Sequence, residues 1–169
     1  MQAYIILIFI FFIPPLITGI EFLIFIGTGK RPLGGPIAFT LDILSTVFFP
    51  FLYIVSESNY YNNGGIFLDP PLYYLTLCVI GLCVISYFFT TYFPNILTHR
   101  LKVAALITLA FGIFLNMGLI YQQDAIFSIF NIAIILLFIM RISQTTENML
   151  TEKEDELKQR LKDSLTEKL

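Results

Sequence analysis

Two carboxylates stand inside otherwise apolar runs of this chain, Glu21 in ITGIEFLIFIG and Asp42 in IAFTLDILST. Between them lies the turn GTGKRPLGGP, which carries Lys30 and Arg31. An ionisable group in a hydrophobic segment is costly, so it marks either an ion or proton site or a buried ion pair. The two positions are matched. Glu21 lies shortly before the end of one run and Asp42 shortly after the start of the next, so at 1.5 Å per residue both sit roughly 7–8 Å inside the same boundary. They can therefore face each other and hold a proton or cation, or be neutralised by Lys30, Arg31, Arg100 or Lys102. The shallow depth favours neutralisation.

Other polar groups recur at helical spacing. Asp42, Ser45 and Thr46 fall at i, i+3 and i+4, which puts a carboxylate and two hydroxyls on one face and points that face at protein. Asn116 and Asn131 occupy equivalent depths in two consecutive apolar runs, where amides serve as interhelical hydrogen-bonding groups. Neither pattern is catalytic. His99 is the single histidine, Cys78 and Cys83 are five residues apart on different helical faces, and no His/Cys/Asp set has metal-ligand spacing. GTGK lacks the first glycine of a phosphate-binding loop, and no nucleophile or zinc-protease motif is present. The sequence predicts no catalytic residue, metal or cofactor, and hence no enzyme.

These residues belong to an integral membrane protein. Of the 169 residues 57% are hydrophobic and 13% charged, and the mean hydropathy is +0.81, too apolar for a water-soluble domain of this size. At about 20 residues per crossing, an all-α architecture of five spans fits, at 3–26, 37–55, 72–93, 103–121 and 125–142 within a transmembrane domain 1–142. Pro14 and Pro15 predict a kink in the first span. The start of the chain has no basic n-region and no small-residue cleavage site, so the first segment reads as a retained span.

All ten Lys and Arg residues fall in three places: Lys30 and Arg31 in the first loop, Arg100 and Lys102 in the third, and Arg141 with the tail. The positive-inside rule then places the N-terminus outside and the C-terminus in the cytoplasm, in the cytoplasmic (inner) membrane. The net charge of −2 offers no surface for nucleic acid.

The cytoplasmic tail, 143–169, reads as an amphipathic helix. Thr151 and Glu154 form a capping box, and Leu150, Leu157, Leu161 and Leu165 make a narrow apolar stripe suited to a partner helix or to further copies of the chain. Two functions follow. One is a non-enzymatic membrane anchor, scaffold or sensor subunit, oligomeric or docking a soluble cytosolic protein through its tail. The other is a small ion channel or ion-coupled transporter subunit that uses Glu21 and Asp42.

Overall fold

A computed structural model describes residues 2–48, 70–120 and 125–166, with side chains for 12–47, 78–118 and 128–165. The far end of the second predicted span with Pro50, most of the second loop, and the 121–124 hairpin lie outside the described residues. Among the described residues five α-helices follow in chain order: α1 Gln2–Thr28, α2 Gly35–Ile43, α3 Pro70–Tyr92, α4 His99–Ile120 and α5 Ala125–Thr166. A π-helical turn, Leu44–Phe48, continues α2. No strand occurs among the described residues.

The predicted first span is a single helix, and two other boundaries differ from those drawn on hydropathy. The α1 helix runs through Pro14 and Pro15 as one element, and both prolines are buried in the protein. The α4 helix begins at His99 instead of Val103. Pro94 stops α3, the backbone turns through Phe93–Leu97, and the Thr98 carbonyl accepts the Lys102 N–H at 2.9 Å. His99, Arg100 and Lys102 therefore occupy the first helical turn, not a loop.

The tail is not a separate helix either. With no glycine or proline from Ala125 to Leu169, nothing stops the last apolar segment, and α5 runs for 42 residues, about 63 Å. Thr151 sits inside it, its hydroxyl donating to the Glu147 carbonyl at 3.1 Å instead of capping a new start.

The N-terminal half of α5 is the centre of the packing. It meets α4, α1, α3 and the π turn, and α4 also packs on α3. The core cluster combines Phe25, Cys83, Tyr87, Leu109, Ile134, Leu137, Phe138 and Met140. At Gly112 α4 packs tightly against both α3 and α5. A Cβ built there would lie 2.7 Å from Cys83 Sγ and 2.8 Å from Phe138 Cε2. Gly112→Ala is accordingly expected to destabilise the solubilised protein by about 1–2 kcal/mol, overpacking outweighing the gain in helix propensity. Adding Cys83→Ala should recover part of that loss in a thermal-unfolding cycle, and strict additivity of the two substitutions would contradict this packing.

Polarity is distributed inside out. The buried side chains include Thr18, Glu21, Asp42, Ser45, Thr46, Thr90, Asn116, Asn131, Arg141 and Thr145, while Leu16, Leu23, Ile26, Ile107 and Phe114 are each more than 60% exposed. Two helical stretches, His99–Gly118 and Ser128–Leu165, are long and apolar enough by length and composition to cross a membrane.

Candidate functional site

The carboxylates singled out in the sequence meet on one guanidinium. The α1 helix ends at Thr28, where Gly29 takes a positive φ of 68° and donates its N–H to the Phe25 carbonyl at 2.8 Å. This is a left-handed helix cap, which glycine adopts without a Cβ penalty. The chain reverses, Gly35 supplies a second positive φ of 64°, and Pro36 in the first turn of α2 starts the return helix. The turn thereby carries the Arg31 side chain back between α1 and α2.

Every side-chain N–H of Arg31 finds an acceptor there. Nε donates to Glu21 Oε1 at 2.9 Å and Nη2 to Glu21 Oε2 at 3.0 Å. Nη2 also donates to Asp42 Oδ1 at 2.7 Å, and Nη1 donates to Asp42 Oδ2 at 2.9 Å and to the Tyr87 hydroxyl at 3.0 Å. Guanidinium has five donors in a fixed planar fork, and all five are used, side-on to Glu21 and end-on to Asp42.

The third helix completes the arrangement. The Tyr87 and Tyr92 hydroxyls both donate to Asp42 Oδ2, at 2.9 and 2.7 Å. Aromatic contacts hold the two rings in place: Phe39 meets Tyr92 edge-on at 5.1 Å, Phe88 stacks on Tyr92 at 5.6 Å, and Phe138 lies 5.9 Å from Tyr87. Asp42 is 0% and Glu21 2% exposed, and the Arg31 side chain is 12% exposed. Burial opposes the Arg31 charge, but the hydrogen bonds from Asp42 and Glu21 outweigh it and raise its pKa above the ordinary arginine value.

Two carboxylates and one guanidinium leave this cluster with a formal charge of −1, spread toward two tyrosine hydroxyls. Chemically it is a clamp. It ties the end of α1, the end of α2 and the end of α3 to one side chain.

The remaining predicted residues are placed as follows. Ser45 and Thr46 are buried in the π turn beside Asp42; Thr46 donates to the Asp42 carbonyl, while Ser45 Oγ has no hydrogen-bond partner. Asn116 and Asn131 are both buried, and Asn116 Nδ2 donates to the Gly112 carbonyl of its own helix at 2.7 Å. Lys30 and Arg100 are exposed. Lys102 reaches across to α5 and binds both oxygens of Glu152 at 2.8 and 2.9 Å. Arg141 is buried, with Nη1 3.4 Å from Gln144 Oε1. Leu150, Leu157, Leu161 and Leu165 are all exposed.

Tyr87 and Tyr92 belong to the site although their sequence context reads as an interfacial aromatic pair. The available signal was depth: both lie at the end of α3 that faces the Lys30–Arg31 turn. Among the described residues no group of three or more His, Cys, Asp or Glu side chains is gathered as for a metal ion. No protein-family model matches the chain, and no curated protein or solved structure matches it.

Proposed function

We propose that this chain is a non-enzymatic multi-pass membrane scaffold or sensor subunit that associates, with itself or with a soluble cytosolic protein, through the protruding half of its last helix. The inside-out distribution of polarity supports a lipid environment, since large apolar side chains lie exposed on the outside while many polar ones are buried within. At 27 and 23 residues, α1 and α3 span about 40 and 35 Å, enough for a hydrocarbon core of about 30 Å. The three clusters of Lys and Arg support an N-terminus outside and a C-terminus in the cytoplasm.

The observation that carries the proposal is the continuity of α5. Its first half is the packing centre of the helical core, and its second half projects as a charged rod on which Leu150, Leu157, Leu161 and Leu165 are 53–65% exposed. A rod continuous with the core transmits position to whatever it binds. Removing residues 150–169 should lower the assembly size of the solubilised protein or release a co-purifying partner, and an unchanged size with an unchanged set of partners contradicts the proposal.

The channel alternative draws less support. It needs Glu21 and Asp42 free to exchange an ion or proton, and both are engaged by Arg31.

A further inference from the structure

Arg141 is a buried cation whose hydrogen-bonding capacity is not met. It is 9% exposed, Nε has no partner, and its contact with Gln144 is long at 3.4 Å. Among the described residues it forms no ion pair. One turn further along α5, Thr145 is 4% exposed and its hydroxyl is likewise unpartnered. Unmet buried donors of this kind are rare, because each forfeits its hydration with nothing in return.

Arg141 and Thr145 both line a cleft of about 300 Å³, to which Asn95, Lys102 and Asn148 also contribute. A second cleft of about 390 Å³ shares Arg141 and Asn148 as walls and adds Lys30 and Glu147. The acids of the first cleft lie away from Arg141. Glu152 and Asp155 are 11 and 14 residues beyond Arg141 on the same helix, about 16 and 21 Å outward, and Glu152 is already engaged by Lys102. The Arg141 end of the first cleft is therefore cationic and donor-rich, the Glu152–Asp155 end neutral to acidic.

We propose that this cleft binds a phosphate group, the phosphodiester of an anionic lipid headgroup, on the Arg141 fork and the Thr145 hydroxyl. Arginine matches phosphate oxygens in bidentate fashion, and Thr and Asn donors complete such sites. Arg141 ends the apolar run IAIILLFIM, the level at which headgroup phosphates lie if α5 crosses the bilayer. The lipid source rests on the membrane proposal above, whereas phosphate recognition itself does not.

Thermal stability of the full chain in neutral detergent, titrated with phosphatidylglycerol, phosphatidylcholine or inorganic phosphate, tests this. Phosphatidylglycerol should stabilise the wild type, and phosphatidylcholine should do so more weakly. Thr145→Val removes an unpartnered hydroxyl, so it should keep or raise stability without ligand while weakening the phosphatidylglycerol response about tenfold, the loss of one charge-assisted hydrogen bond. Arg141→Lys keeps the charge but not the fork and should weaken it at least as much; Lys153→Gln, on the exposed rod, should leave it unchanged. A shift with inorganic phosphate alone, lost in Thr145→Val and Arg141→Lys, supports phosphate recognition and overturns the lipid source. No shift with any ligand, or equal shifts in all variants, overturns the proposal. Failure of the membrane proposal is separately visible, as protein that stays in solution without detergent.

Discussion

Replacing Arg31 by methionine should cost about 3–5 kcal/mol, the usual loss when one partner of a buried ion pair is removed. Asp42 and Glu21 are almost completely buried and share this one cation, so its loss strands two charges where water does not reach. Against a typical folding stability of about 5–15 kcal/mol, most of the monodisperse protein should disappear. Arg31→Lys should be intermediate, because an ammonium offers three donors from one point in place of five in a plane.

The rescue is the more specific half of this prediction. Combining Arg31→Met with Glu21→Gln and Asp42→Asn removes all three charges together and should restore folded yield and thermal midpoint close to wild type. Asp42→Asn in that background still accepts the Tyr87 and Tyr92 hydroxyls through its carbonyl. Wild-type stability of the single Arg31→Met variant would mean that the carboxylates are not held by the clamp, and would return the ion-site alternative to the front.

Leu157→Glu with Leu161→Glu should abolish association through the rod while leaving the helical core intact. Both leucines are more than half exposed in the single chain, so charging them removes no internal contact. In a complex each buried leucine contributes about 1.5–3 kcal/mol, so losing two weakens binding by about 100-fold or more. The readouts are assembly mass by light scattering and the set of co-purifying proteins, with circular dichroism as the control for fold. Unaltered mass and partners would show that the stripe is merely solvated.

Much of this architecture was legible in composition and charge. Runs without charge located the helices to within a few residues at most described ends, and Glu21, Asp42 and Arg31 stood out because so little else in the apolar chain could pair. The misplacements share one cause. Hydropathy marks where lipid-like residues stop, but a helix stops where the backbone meets Pro, Gly or a competing turn. Pro94 with Thr98 therefore set the start of α4 four residues before the apolar run begins, and the absence of any breaker after Ala125 fused the last predicted span to the tail.

The site was half visible for a different reason. Tyr87 and Tyr92 look like interfacial aromatics until α3 is packed against α2, and Arg141 looks like a surface anchor until α1, α3 and α4 close around it. Both are tertiary facts. The Thr151–Glu154 pair shows the converse error, a local capping signature overridden because the preceding turns were already helical.

Cysteine accessibility in intact cells tests the central claim most directly. In a chain with Cys78→Ala and Cys83→Ala, a membrane-impermeant maleimide should label Ser58→Cys, in the predicted second loop, from outside. Ser164→Cys, near the end of the rod, should react only after permeabilisation. Labelling of both under the same condition, or release of the chain from membranes by an alkaline wash, would contradict a scaffold whose last helix runs from the bilayer into the cytoplasm.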